Sequence, residues 1–259
     1  MEKIAVLQKK FEPISLKEMD YVQLMNRVDS KYIANFSSLH LLLEGAWNHG
    51  YRILEIEGNR TFNYLTTYYD TPDYKFYYDH HNARSNRIKV RTRAYLNTEQ
   101  YFIEIKIKNN KGKTAKKRKE IISAGLGLDE KDYKYINKVS EGEYNDLEPK
   151  LSSEFSRFTL VNIENKERVT FDFGITFSYN EEKVPLKSLL IIEIKQESAS
   201  ARDNFTEMLR RERIPITNFS KYCIGVVLLH KDVKYNNFKS KVLKINRICN
   251  GCLTLKHNQ

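Results

Sequence analysis

Residues 86–95 read NRIKVRTRAY. Arg87, Lys89, Arg91 and Arg93 fall at every second position, with Ile88, Val90 and Thr92 between them. Side chains of a β-strand alternate between faces, so this stretch sets four cations in a row on one side of a sheet. Same-face neighbours lie about 7 Å apart, and a like-charge pair at that distance costs about 2 kcal/mol at an effective dielectric near 20. Arginine cannot escape by losing its proton. Open to water, the row is screened, and a half-buried strand with a solvated basic face is one reading of this segment alone.

The pattern recurs. In YFIEIKIK (101–108), Glu104, Lys106 and Lys108 oppose Ile103, Ile105 and Ile107. In RVTFD (168–172), Arg168, Thr170 and Asp172 oppose Val169 and Phe171. LIIEIKQ (190–196) sets Glu193 and Lys195 against Ile192 and Ile194, and RVDSKYI (27–33) sets Arg27, Asp29 and Lys31 against Val28, Ser30 and Tyr32. Two architectures accommodate such strands: an open sheet with one basic face in water, or a sheet curled into a barrel with a charged interior. The strand number, and the apolar helices available to cover them, favour the barrel. A charged interior must be wet or hold an anion, since isolated buried charges are too costly. Glu104 and Glu193 would then serve as lysine partners or as ligands of a hard divalent cation.

Further strands are expected at FNYLTTYYD (62–70), AKKRKEII (115–122) and LLIIEIKQ (189–196), with 87–122 forming a three-stranded meander. Helix signals mark LKEMDYVQLMN after a Ser15 cap, its apolar face formed by Leu16, Met19, Tyr21 and Leu24. They also mark LHLLLEGAWNH, capped by Ser37 or Ser38 and ended by Gly50, and DYKFYYDHH after Thr71-Pro72. ARDNFTEMLRRER follows a Ser200 cap, and SKYCIGVVLLH (220–230) reads as a buried helix. Residues 124–150 read as a helical insertion and 231–259 as a basic tail or solvated final helix, leaving 1–230 as the main domain.

With 259 residues, 41% of them hydrophobic, the chain has ample material for a folded core. No 18-residue apolar run suggests a membrane span, and MEKIAVLQKKFEP lacks a signal-peptide h-region. Three cysteines suit a reducing cytoplasm rather than a disulfide framework. The net charge of +11 implies a polyanionic partner: nucleic acid, an anionic membrane or a phosphate-rich small molecule. Nucleic acid ranks low, because the cations alternate within strands and no recognition-helix or RNP pattern occurs. No Walker G-x-x-x-x-G-K-[ST] motif is present. Cys249-Asn-Gly-Cys252 is a lone C-x-x-C lacking two zinc ligands, Cys223 reads as core, His80-His81 as surface, and the aromatics of 62–78 as packing.

Taken together, the motifs resemble the triphosphate tunnel superfamily, and within it the VTC domain, the polyphosphate polymerase domain of vacuolar transporter chaperone proteins and their bacterial relatives. The carriers are RVDSKY (27–32), TTYYDTPDYKFYY (66–78), KVRTRAY (89–95), FIEIK (102–106), GKTAKKRKE (112–120), SRFTL, RVTFD, IIEIK and FSKY, over about residues 10–230. The resemblance implies an α+β fold: an antiparallel β-barrel tunnel of about eight strands with a basic interior, surrounded by helices. It implies catalytic roles for Arg91, Arg93, Lys106 and Lys221, and substrate-binding roles for Lys31, Lys89, Lys116, Arg118, Arg157, Arg168 and Lys195. Glu193 is the implied ligand of Mn²⁺ or Mg²⁺. The implied activity is transfer of the γ-phosphate of ATP, or another nucleoside triphosphate, to phosphate or a growing polyphosphate chain in the cytoplasm. A separate membrane-protein partner would carry product away. The alternatives are a metal-dependent triphosphatase and a non-catalytic polyphosphate-binding module. Two departures stand out: the superfamily's Glu-x-Glu-x-Lys strand is here Arg27-Val-Asp29-Ser-Lys31, and Asn218 replaces a lysine of some eukaryotic relatives.

Overall fold

The alternating segments become strands close to where the pattern places them. The computed structural model describes residues 2–20, 28–111, 113–124, 127–197, 205–251 and 253. In chain order the elements are α1 (Glu2–Gln8), β1 (Pro13–Ile14), α2 (Leu16–Asp20), β2 (Val28–Asn35), α3 (Leu39–Asn48), β3 (Arg52–Leu54), β4 (Phe62–Asp70), α4 (Lys75–His81), β5 (Arg87–Tyr95) and β6 (Gln100–Lys108). They continue as β7 (Thr114–Ile121), α5 (Glu130–Ser140), β8 (Glu148–Asn162), β9 (Glu167–Tyr179), β10 (Glu182–Leu186), β11 (Leu189–Gln196), α6 (Phe205–Arg211), α7 (Lys221–Leu229) and α8 (Lys239–Ile248). Arg27, Tyr21, Leu24, Ser200 and Cys252, all singled out above, lie outside the described residues.

One sheet runs β2-β11-β9-β8-β4-β5-β6-β7, with β1, β3 and β10 attached beside it, and every pairing but β1–β3 is antiparallel. It is a tunnel-shaped barrel that does not close: among the described residues no pairing joins β2 to β7. The curl is evident from charges that meet across it. Lys106 on β6 lies within the field of Lys31 and Asp29 on β2 and of Glu193 on β11.

The outer face is covered. Strands β8, β9 and β11 send Phe158, Leu160, Val169, Phe171, Ile192 and Ile194 outward against α3 and α6. Ile103, Ile105 and Val90 point outward against Phe76 of α4 and Ile136 of α5. Asp129 caps α5 in a reciprocal capping box with Asp132.

The interior is divided between two environments, and one glycine sets the division. Along the first half of β9 the inward residues are Arg168, Thr170 and Asp172; Val169 and Phe171 face out. At the register shift between Glu154 and Ser156 of β8, β9 carries one extra residue, and Gly174 there has φ +62°. A bulge of one residue exchanges the faces of a strand. Beyond it Ile175 and Phe177 face inward, packed with Leu151, Ile191 and the side chains of α7. This helix is apolar all round and buried from Tyr222 to Leu229, so it plugs one end of the barrel. Gly225 permits the close approach: a β-carbon there would stand 2.9 Å from Leu151 Cδ2 and 3.0 Å from Phe177 Cδ1.

Several local expectations are corrected. Leu16 is 47% exposed and lies off the apolar face of α2, although Ser15 and Glu18 do cap each other there. Neither Ser37 nor Ser38 caps α3 with its side chain; Asn35 instead caps the short 3₁₀ turn Phe36–Ser38 before it. His81 is buried, not a surface residue, because α4 is pressed against Phe238 at the start of α8. The final helix α8 is not simply solvated, since Val242 and Ile245 join the core around α7.

The bulge yields a clean test. Nothing lies within 4 Å of a β-carbon built on Gly174, so Gly174→Ala is expected to cost about 1–2 kcal/mol through its left-handed backbone alone. Gly174→Asn should cost less, because asparagine tolerates that region. Urea unfolding of both variants against the wild type measures the difference.

Candidate active site

The site grows out of the strand register. Arg91 pairs across β5–β6 with Glu104, and Glu104 pairs across β6–β7 with Arg118. On the far wall Arg157 of β8 pairs with Asp172 of β9, Thr170 of β9 with Glu193 of β11, and Glu193 with Lys31 of β2. The same layers place Lys195 between Arg168 and Asp29. Alternation alone therefore lines the concave face with cations from seven strands.

Two carboxylates organise part of this charge. Glu104, 2% exposed, takes Arg91 Nε at 2.7 Å and Arg91 Nη2 at 2.6 Å on Oε2. Lys116 Nζ contacts its Oε1, and Arg93 Nη1 lies 3.8 Å from Oε2. Burial disfavours the ionised acid, but Arg91, Arg93 and Lys116 outweigh it and hold the carboxyl well below the usual carboxylate range. Asp172 does the same on the opposite wall. Arg157 grips it with Nε to Oδ1 at 2.5 Å and Nη2 to Oδ2 at 2.8 Å, and Lys221 Nζ donates to Oδ2. Here too burial opposes ionisation, and Arg157 and Lys221 overcome it. The fork geometry of Arg157 on Asp172 fixes the guanidinium plane.

Aromatic faces complete the positioning. The guanidinium carbons of Arg93 and Arg157 each lie 5.5 Å from the Tyr64 ring centroid. Lys221 Nζ stands 4.1 Å over Phe155. These contacts hold cations against each other in a confined space, with a cation–π attraction that strengthens as water is excluded.

Other cations have no such partner. Lys31, Lys106 and Lys195 make no ion pair with a described residue, and Lys89 donates to Ser220 Oγ at 3.0 Å. Burial depresses all three of Lys89, Lys106 and Lys195, with Lys89 pushed down to about 8. Burial likewise brings Lys116 and Lys221 to about 8, against the opposing pull of Glu104 and Asp172. Ser220 also caps α7 through Cys223 N, so the plug helix delivers both Lys221 and the Lys89 anchor.

Glu193 differs from the other acids. Its carboxylate makes no hydrogen bond or ion pair with any described residue. Burial raises it, yet Lys31, Lys195 and Arg157 bring it down to about 2, so it is ionised and available. No group of three or more metal-ligating side chains exists among the described residues. One free carboxylate suits a hard divalent cation whose remaining ligands are phosphate oxygens and water, so the donor set fits such an ion only together with a phosphate ligand.

Of the residues singled out in the sequence, Lys31, Lys89, Arg91, Arg93, Lys106, Lys116, Arg157, Lys195, Lys221 and Glu193 converge on this concave face. Arg168 lies at its end, 3.6 Å from Met19 Sδ. Arg118 stands apart: it is exposed on the edge strand β7, stacked 4.8 Å over Phe102. Sequence reasoning missed Asp172 as an organising acid, although its alternation with Arg168 signalled the shared face. It also missed Tyr64 and Phe155, for which only their parity with inward residues gave any signal, and Ser220, the N-cap of α7.

No curated protein matches the sequence. Among solved structures, the chain is similar to an adenylate cyclase candidate from Bacillus halodurans (13% identity, TM-score 0.46), over 76% of this chain and 96% of the other. A Hippeastrum protein described as having a dominant triphosphatase activity is similar at 15% identity and TM-score 0.45, over 77% and 94% of the two chains. A conserved hypothetical protein from Pyrococcus furiosus is similar at 12% and 0.43, over 75% and 98%. These are likenesses of chain path, and no function is carried across from them. The VTC domain family matches residues 26–230, the span that holds β2 to β11 and α7, and the chain belongs to that family.

Proposed function

We propose that this protein transfers the γ-phosphate of ATP to phosphate or to the end of a growing polyphosphate chain inside its basic tunnel. The observation that carries this reading is the split in the concave charge. Arginines already oriented by Glu104 and Asp172 face lysines that have no ion-pair partner among the described residues, around one carboxylate, Glu193. Phosphoryl transfer asks for positioning and neutralisation of charge more than for a protein nucleophile, and this arrangement offers both.

In this reading Arg91, Arg93 and Arg157 hold the triphosphate in place, each with its fork fixed before substrate arrives. Lys106, Lys116 and Lys221 screen the repulsion between donor and acceptor anions. Lys31, Lys89 and Lys195 line the path of the acceptor, and Arg168 and Arg118 mark the ends of the groove. A terminal oxygen of the acceptor forms a new bond to the γ-phosphorus while the bond to the bridging oxygen breaks, and ADP leaves with that electron pair. Glu193 would hold Mg²⁺ or Mn²⁺, which when bound offsets charge on the phosphate oxygens.

Incubation with ATP and Mn²⁺, followed by gel separation and ³¹P NMR, is expected to give ADP and polymer. Orthophosphate without polymer would assign a triphosphatase instead, and binding of polyphosphate without turnover would assign a binding module. Arg93→Ala and Glu193→Gln are each expected to lower turnover at least 100-fold while the protein remains folded by circular dichroism; full activity in either overturns the assignment.

The lysines give the reading a pH signature. Lys89, Lys116 and Lys221 titrate near 8, so raising the pH removes positive charge and weakens anion binding. Affinity for tripolyphosphate without metal, measured by calorimetry, is expected to fall at least tenfold between pH 7 and pH 9.5. Lys221→Arg should flatten that decline, because the guanidinium stays charged.

A further inference from the structure

We infer that the cavity between α4 and the outer ends of β5, β6 and β7 is a subsite for one terminal, unesterified phosphate group, with His80 as a hydrogen-bond donor to it. The inference rests on the transfer reading above and assigns the place where the acceptor end sits. The cavity measures about 120 Å³ and is lined by His80, Arg87, Lys89, Lys106, Lys108 and Thr114. That is well below the roughly 300–1,000 Å³ of pockets that enclose drug-sized ligands, and it suits a single phosphate group rather than a nucleoside.

The register builds this cavity. Arg87 pairs with Lys108, Lys89 with Lys106, and Lys108 with Thr114, so two successive layers of cations face the same space. No carboxylate is among the lining residues. The contrast with the walls around Glu104 and Asp172 is plain: there the cations have a protein counter-ion, here they have none lining the space. Four cations held around one small volume are relieved by an anion that enters it.

His80 adds a directional contact. Its ring is stacked on Phe238 with centroids 5.9 Å apart, which fixes its orientation from the side of α8. Its Nδ1 is buried and has no hydrogen-bond partner among the described residues, a condition that native structures rarely leave unexplained. The charges that act on it most strongly are Lys89 and Arg87 of β5, Lys241 of α8 and Lys31 of β2. Burial, and then these cations, push its pKa down to about 2. The imidazole is therefore neutral near pH 7, with one N–H to give and one nitrogen to accept from a protonated phosphate oxygen. A dianion in the cavity reverses the field that His80 feels.

The test needs no turnover. In protein free of nucleotide and metal, the imidazole nitrogens of the six histidines are followed by NMR while pyrophosphate is added, and the His80 signal is identified by its loss in His80→Gln. A saturable shift of that signal is expected, with the affinity weakened five- to tenfold in Arg87→Ala or Lys108→Ala. Calorimetry should find His80→Gln within about threefold of wild type, since glutamine keeps a donor, and His80→Leu about tenfold weaker. Orthophosphate should move the same signal. A shift produced only by tripolyphosphate would mean that the cavity reads a passing chain and would overturn the terminal-phosphate assignment, as would a His80 signal indifferent to all three anions. Protein that binds pyrophosphate here but makes no polymer keeps the subsite and loses the polymerase reading; polymer formation with an unmoved His80 signal does the reverse.

Discussion

Mutual repulsion among inward cations is the constraint on which this structure depends. Curling the sheet brings β2 and β11 against β5 and β6, so charges far apart in sequence become neighbours. The protein offsets only part of that repulsion itself. Glu104 and Asp172, each buried and each shared by two or three cations, turn arginines from a liability into fixed donors. Lys89, Lys106 and Lys195 stay desolvated and depressed, a state that any entering polyanion relieves. Under the proposed function, stability is thus held below its attainable maximum at the substrate site, as is common at functional sites.

The apolar half of the barrel makes this arrangement tenable. The bulge at Gly174 turns β9 over, so the same strand contributes Asp172 to the charged half and Ile175 and Phe177 to the plug. Helix α7 fills that second half and sets Lys221 at its own first turn, facing Asp172. A second tie holds the plug in place. Tyr222 donates to Asp70, whose carboxylate also accepts from Phe76 N and Tyr77 N at 2.8 Å each. The floor of the tunnel, the start of α4 and the end of β4 are therefore joined through one buried acid.

How much of this was legible in the sequence follows from the range of the forces involved. Strand alternation is local, so β4, β5 and β11 could be placed to the residue, and the shared faces of Arg91, Glu104, Lys106 and Glu193 could be read directly. The bulge was not legible, because RVTFDFG continues its alternation up to Gly174 and nothing local announces that the next residues turn inward. Asp172 was seen on the right face, but its role depends on Arg157, fifteen residues away across a hairpin, and on Lys221 at the start of a distant helix. The burial of His81 was misread for the same reason. DYKFYYDHH carries no sign that Phe238 will stack on its end or that Arg87 and Lys108 will gather in front of it. The open edge between β2 and β7 likewise lies beyond local pattern, since closure is a property of the whole sheet.

The division between arginine and lysine in the tunnel has a physical logic under the proposed reaction. Arg91 and Arg157 are bound through planar forks to buried carboxylates, and Arg93 lies against the stacked rings of Tyr64 and Phe155. Groups fixed in this way suit a phosphate that must hold one position while its bond is broken. Lys31, Lys106 and Lys195 have flexible stems and no ion-pair partner among the described residues. A lysine presents a point charge that can follow an oxygen as it moves, and it loses little when one phosphate replaces an identical neighbour. A growing chain must shift by one unit after each transfer, so contacts along its path have to break and re-form without a deep minimum at any register. Rigid arginines at the reacting phosphate and adaptable lysines along the acceptor meet both demands in one continuous groove.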